Sequence, residues 1–321
     1  MSCRCRIRRA ERSRPAGDTQ DCSFTHDDLG RLASVNCGSE WSQTFSNGAH
    51  GNVEVTSGND AFPASFSNNR ISSVNGFAPN YDADGNLLDN PVAQTRNVYA
   101  WNANGRPVTV DGVSQTFDAF GRLAYNTAGP RQVVWTPDGY KAAVMNGQAL
   151  TFALVPLPGG AVANFGPSGI SYYAHPDWEG SWRLASSPSR TETGDLAYSP
   201  YGATYAGSGP DAFTGQWVDT PDNLNDFPAR FLQPMMARWL SPDPSGMAAV
   251  NPANPQSWNA YAYVGDTPLQ ATDPLGLRPP PTRQRSTRSP RTTSWRTPAA
   301  SRAARASDPK PKNCTRGSWR E

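Results

Sequence analysis

The chain has 321 residues, enough for one or two domains with a sizeable core. Its 28 glycines and 30 prolines, set against only 17% charged residues, exclude a helical bundle and favour many short strands joined by turns. The net charge of +2 is a sum of unlike parts. Residues 1–17 hold six arginines and one glutamate (net +5), and 278–321 hold twelve Lys/Arg and two acids (net +10). The 11 basic and 24 acidic residues left between 18 and 277 make an acidic body, net −13.

The first stretch, MSCRCRIRRAERSRP, is positively charged but has no apolar core, so it does not read as a signal peptide. Residues 1–19 are expected to be a basic disordered segment. The five cysteines, Cys3, Cys5, Cys22, Cys37 and Cys314, are an odd number without paired spacing. Cys3-x-Cys5 has no second pair to complete a zinc site, and the only histidines are His26, His50 and His175. Free, incidental thiols are expected, with no metal and no cofactor, and the compartment stays open.

An internal repeat then begins. HDDLGRL (26–32), YDADGNL (81–87), WNANGRP (101–107) and FDAFGRL (117–123) share a ring, Asp or Asn, two residues, Gly, a polar residue and usually Leu. The Asp or Asn caps a turn through its side-chain oxygen, and Gly30, Gly85, Gly105 and Gly121 supply positive φ. The ring and the leucine fall on the two flanking strands and can pack on one sheet face. TPDGYK (136–141) and SPYGAT (199–204) are further turns of this kind. The linking RNVYAW, RPVTV, RQVVWT and ALTFALV are β-branched and aromatic, as strands should be. Antiparallel β-structure without an ordinary helix is therefore expected over 20–277. Residues 40–75, rich in Asn, Ser and Gly, are expected to be the least regular part, loops between short strands. The most apolar run, ALTFALVPLPGGAVANFG, is broken by two prolines and Gly-Gly, so no membrane span is expected.

Residues 278–321 are Arg, Ser, Thr, Pro and Ala with hardly any large apolar side chain, and a disordered basic tail is expected. Its cations attract phosphates nonspecifically, but no folded module supports a specific nucleic-acid role.

In its motifs the chain resembles the Rhs, or YD-repeat, proteins and their associated core domain, related to the YD-shells of Tc-toxin C subunits and teneurins. The repeats at 26, 81 and 117 match the YD form. YYAHPDWEGSWRLASS (172–187), FTGQWVDTPDNLNDFPARFLQPMMARWLSPDPSG (213–246) and NAYAYVGDTPLQATDPLGL (259–277) match the core. The resemblance implies YD repeats over 20–170 and a core domain over 171–277. It implies an all-β strip of antiparallel hairpins that spirals into a shell, with the core wound inward as a plug. It also implies a bacterial, secreted, toxin-delivery type of protein in which an encapsulated C-terminal segment is cut off between Leu277 and Arg278. Partners would be the chain's own C-terminal segment, further upstream shell polypeptide, and secretion machinery. This sequence departs from the pattern: Asn223, Pro228 and Ala237 replace the usual glycine, Gln233 replaces a common Asp, and NPANPQSW looks like an insertion.

Taken without the family, the two Asp-Pro-x-Gly elements, ending in Gly246 and Gly276, carry the preferred residues of type I turns. The resemblance adds chemistry. Asp243 and Asp273 would form a carboxylate dyad sharing one proton, and such a pair holds an acid and a base together. Arg230 would hold one carboxylate ionised or stabilise an oxyanion, against the plainer role of an ordinary ion pair. The competing class is a non-enzymatic scaffold for adhesion or sugar binding, with Trp178 and Trp182 either stacking on sugar or buried in the core.

Overall fold

The computed structural model describes residues 22–129, 131–217 and 222–277; both basic ends, and with them the expected disorder of 1–19 and 278–321, lie outside the described residues. Strands β1 (Ser23–His26), β2 (Leu32–Asn36), β3 (Ser42–Asn47) and β4 (Val53–Gly58) form a first antiparallel sheet in sequence order. β5 (Ala64–Ser67) and β6 (Arg70–Val74) form a separate hairpin. A twelve-stranded antiparallel sheet follows, each strand beside its sequence neighbours. It runs through β7 (Tyr99–Trp101), β8 (Pro107–Val110), β9 (Val113–Phe117), β10 (Leu123–Asn126), β11 (Arg131–Trp135) and β12 (Lys141–Asn146). It continues with β13 (Ala149–Pro156), β14 (Val162–Gly166), β15 (Gly169–Pro176), β16 (Trp182–Ser186), β17 (Glu192–Tyr198) and β18 (Thr204–Ser208). Short pairs then fold onto these sheets: β19 (Ala212–Phe213) with β20 (Gln216–Trp217), and β21 (Asn225–Asp226), β22 (Phe231–Gln233) and β23 (Arg238–Trp239) together. The fold is all-β and open, and only 3-10 turns supply helical residues among those described.

The repeat becomes one kind of hairpin. In FDAFGRL the Asp118 amide donates to the Arg122 carbonyl (2.9 Å), and the Gly121 amide donates back to the Asp118 carbonyl (3.0 Å). Asp118 Oδ1 accepts from the amides of Phe120 and Arg122, and Oδ2 accepts from Arg122 Nε at 2.7 Å. This explains the repeated Asp, Gly and polar residue together. HDDLGRL and YDADGNL repeat the scheme with Arg31 and Asn86 bonded to Asp27 and Asp82. The turn adds a bulge beside each loop, and all four predicted turn glycines have positive φ. TPDGYK and SPYGAT close in the same way, as expected. In an antiparallel meander alternate loops lie on opposite rims. The loops at 102–105, 118–121, 136–139, 157–160, 177–180 and 199–202 therefore share one rim of the long sheet.

Two expectations are corrected. Residues 40–75 are not the least regular part: the short strands expected there are β3 to β6, joined by tight turns. Phe45, Val53, Val55, Ala64, Ile71 and Val74 are buried while their Ser, Thr and Asn neighbours face outward, and the polar half of that alternation concealed it. Asn68 and Asn69, both at positive φ, make the tight β5–β6 turn. The irregular stretch lies instead between β6 and β7. Cys22 and Cys37 are not free thiols but a disulfide. The β1–β2 register pairs Ser23 with Asn36, so the cysteines face each other just beyond the strand ends. Spacing could not reveal that without the hairpin. Cys3, Cys5 and Cys314 lie outside the described residues.

The main core draws on β1 to β8, on Leu196, Tyr198 and Tyr201, and on residues 213–263. It contains no fully buried residue between Val110 and Leu196, so the middle of the long sheet stands apart from it.

Candidate functional site

The expected trio comes together. Arg230 lies just before β22, Asp243 follows β23, and Asp273 opens the last described turn. Each aspartate forms an Asx-type turn. Asp243 Oδ1 accepts from the Ser245 amide (2.9 Å), and the Gly246 amide donates to the Asp243 carbonyl (3.0 Å). Asp273 Oδ1 accepts from the Leu277 amide (2.9 Å), and the Gly276 amide donates to the Asp273 carbonyl (3.2 Å). Gly246 and Gly276 have φ of 52° and 66°. At Gly276 the glycine is also required by space, since a Cβ would lie 3.1 Å from both the Arg230 amide nitrogen and Phe227 Cβ.

Arg230 is 2% exposed and ties these turns together. Its Nη2 is 3.1 Å from Asp243 Oδ2 and 3.4 Å from Asp273 Oδ2, so both carboxylates lie within reach of one nitrogen. The second contact is ionic rather than a good hydrogen bond at that length. Nε donates to the Gly276 carbonyl (2.5 Å), Nη1 donates to the Ala260 carbonyl (3.0 Å), and the guanidinium stacks 4.3 Å from the centre of the Trp239 ring. The Ala229 amide donates to the Leu275 carbonyl (2.9 Å), fastening 275–277 alongside the arginine segment.

Burial raises the Asp273 carboxyl above its ordinary value, against the opposing pull of Arg230 and the Leu277 amide; the neighbouring Asp243 raises it further. Two acids and one arginine leave a net negative charge in a buried place, so a proton held at Asp273 relieves it. Ring residues form the floor. Tyr263, fully buried, meets Trp239 edge-on (5.5 Å between centroids) and packs against Phe227 (6.2 Å). Tyr263, Trp239 and the carbonyls of Ala260 and Gly276 were not legible as site groups in the sequence. Only the aromatic spacing of NAYAYVG hinted at the first, and no side-chain pattern marks a carbonyl.

The other candidates separate. Leu277 is half-buried, while Arg278 lies outside the described residues. Trp182 is buried against Tyr172, and Trp178 is 66% exposed at a hairpin tip. His175 Nε2 meets Ser186 Oγ at 2.8 Å across β15 and β16, a contact the sequence did not suggest. Asn223 and Ala237 adopt positive φ (52° and 55°), the conformation glycine favours, whereas Pro228 does not. The NPANPQSW segment reaches the first sheet: Gln256 accepts from Arg31 Nη1 (2.8 Å) and donates to the Ala49 carbonyl (2.7 Å). No group of metal-ligating side chains occurs among the described residues, and no helix there is long and apolar enough to cross a membrane.

No family model matches the chain, and no curated protein matches it. Solved structures do. A crystal structure of TcdB2–TccC3–TEV is 19% identical with a TM-score of 0.58, over 80% of this chain and 15% of the neighbour. A crystal structure of TcdB2–TccC3–Cdc42 has the same identity and coverage with a TM-score of 0.59. A Tc holotoxin pore from Photorhabdus luminescens, carrying a substitution in TccC3, is 17% identical with a TM-score of 0.52, over 81% of this chain and 13% of the neighbour. The chain thus has the fold of a part of these toxin components and spans about a seventh of their length.

Proposed function

We propose that the chain is the C-terminal part of an Rhs-type β-shell whose plug cuts its own chain once, after Leu277, and so releases the segment that follows. The observation that carries this reading is the single Arg230 nitrogen beside both Asp243 and Asp273, in a buried site stitched to residues 275–277. In the proposed reaction Asp243, ionised, takes a proton from water as its oxygen attacks the Leu277 carbonyl carbon. Asp273, protonated, donates to the carbonyl oxygen, giving a tetrahedral diol. Collapse breaks the C–N bond as Asp243 passes its proton to the Arg278 nitrogen and Asp273 takes one from a diol hydroxyl, which forms the carboxyl of Leu277 and restores both aspartates. Arg230, beside both carboxylates, favours the state in which the pair holds a single proton. The matched Tc components extend the proposal to a secreted, toxin-type assembly in which further shell polypeptide surrounds this piece.

A specific observation favours a second reading. Arg230 is saturated by two carbonyls and two carboxylates, and both Oδ1 atoms are occupied by turn amides. Such a set also serves as a purely structural clamp, in keeping with a non-enzymatic scaffold. The intact mass of the full chain purified at neutral pH decides. A fragment starting at Arg278, lost in both Asp243→Asn and Asp273→Asn, supports cleavage, because Asn keeps the turn but cannot exchange the proton. A full-length mass in the parent, or cutting in both variants, overturns it. A fragment starting with Pro244 or Pro274 reports acid cleavage of Asp-Pro and counts against the proposal.

A further inference from the structure

The disulfide lies at a seam. Cys37, 1% exposed, and half-buried Cys22 belong to the first sheet, whereas the residue resting on their sulfurs comes from β18, the last strand of the long sheet. Tyr205 Oη donates to Cys37 Sγ at 3.6 Å and lies 3.8 Å from Cys22 Sγ. The same tyrosine stacks on Trp41 of the first sheet, centroids 4.8 Å apart and planes 15° from parallel. The Cys37 amide in turn donates to the Trp41 carbonyl (2.8 Å). One phenol therefore joins the sulfurs, the first sheet and the long sheet.

We infer that Cys22–Cys37 is a thiol–disulfide exchange site, attacked at Cys22 by a small thiol, with Tyr205 receiving the Cys37 thiolate as it leaves. The asymmetry follows from access and from hydrogen bonding. Cys22 is the more exposed residue of the pair, while the buried Cys37 has the nearer hydroxyl donor, 3.6 Å against 3.8 Å. A thiolate forms a bond to Cys22 Sγ, the Cys22–Cys37 bond breaks, and its electron pair stays on Cys37, where Tyr205 stabilises the charge. A second thiol equivalent resolves the mixed disulfide, giving the oxidised reductant and a second protein thiol. A hydrogen bond to the leaving sulfur lowers its basicity, and a less basic thiol leaves faster. Exchange also frees the hairpin ends on which Trp41 and Tyr205 meet. The seam holds in oxidising surroundings, where disulfides persist, and loosens in thiol-rich ones.

The test uses the oxidised full chain and glutathione, with acid quench, alkylation and peptide mapping. Glutathione should appear on Cys22 while Cys37 is alkylated. Tyr205→Phe keeps the ring on Trp41 but loses the hydroxyl, and should slow the reaction about ten- to a hundredfold, the range expected for one hydrogen bond to a charged group. After full reduction by dithiothreitol, amide exchange should rise in both Leu32–Asn36 and Thr204–Ser208. Adducts on Cys37, an unchanged rate in Tyr205→Phe, or alkylation mapped to both Cys22 and Cys37 in the protein as purified under oxidising conditions would each overturn the assignment. The adduct map needs no variant, so a poorly folding mutant cannot obscure it.

Discussion

Arg106 and Arg122 occupy the same place in the repeat, directly after the turn glycine, and end in opposite surroundings. Arg122 folds back onto Asp118 of its own turn (2.7 Å), with the two side chains 17% and 24% exposed. Arg106 leaves its turn and enters the core, where it meets Asp226 at 3.1 Å, the side chains only 4% and 3% exposed, and donates to the Phe227 carbonyl. The contrast extends along the rim. The loops at 177–180 and 199–202 seat on Thr214 and Phe213 through Gly180 and Gly202, while after 102–105 it is the Arg106 side chain that reaches Asp226. At 118–121 and 136–139 a Cβ on the turn glycine would meet nothing, and Phe120 and Tyr140 are 81% and 66% exposed. One turn chemistry thus serves two purposes: at the ends of the long sheet it holds the segment 213–227, and in the middle it only closes hairpins. A sheet needs a second layer to bury a face, and the main core reaches only the ends of the long sheet, although Leu123, Val144 and Ala163 are buried in its middle.

The paired arginines give the largest expected difference. Arg106→Ala leaves Asp226 buried with its charge and should cost about 3–5 kcal/mol in urea unfolding. Arg122→Ala removes a solvated pair and should cost about 1 kcal/mol or less. Equal costs would break the comparison. Amide exchange should divide the strip in the same way, with β11 to β13 opening about ten- to a hundredfold more readily than β22 and β23, because few core contacts hold them.

Titration sharpens the contrast at the level of single carboxyls. On the seated tip, burial and then the Asp177 charge push Glu179 up to about 7, with Arg183 opposing. On the free tip, partial burial raises Asp118, but the Arg122 and Phe120 amides and the Arg122 guanidinium outweigh it and hold the carboxyl below its ordinary value. The signs are opposite. Glu179 binds its proton more tightly in the folded chain, so its contribution is full below 4.5 and is lost as pH rises through about 7. Asp118 contributes above 3.8 and is lost as pH falls through its depressed value. Glu179→Gln should flatten the fall in stability between pH 5 and 8, and Asp118→Asn should leave that window unchanged. A profile unaltered by Glu179→Gln would remove the seated-tip argument.

The smallest effect lies inside the plug. Ala237 is buried at φ 55°, so Ala237→Gly should relieve left-handed strain, less the entropy glycine adds to the unfolded chain. A gain of about 0.5 kcal/mol is expected. A loss of similar size would mean that its methyl packing matters more than its backbone.

The amino-acid sequence by itself determined the strand-and-turn character, the hairpin loops and the residues brought to the plug. These rest on local chemistry: Asp or Asn capping a turn, Gly at positive φ, and β-branched and aromatic strands between. The regularity of the strands in 40–75 escaped notice because a half-polar strand resembles a loop until its inner face has something to pack on. Asp243, Asp273 and Arg230 were legible only through motif order, since nothing local says that turns thirty residues apart will share one guanidinium. Tertiary structure alone decided the rest. It paired Cys22 with Cys37 by closing a hairpin, sent Arg106 inward and left Arg122 outside, and set carbonyls of Ala260 and Gly276 on Arg230. The physical reason is common to all of these: each depends on which distant segment covers a residue, and burial is a property of the covering segment as much as of the residue covered.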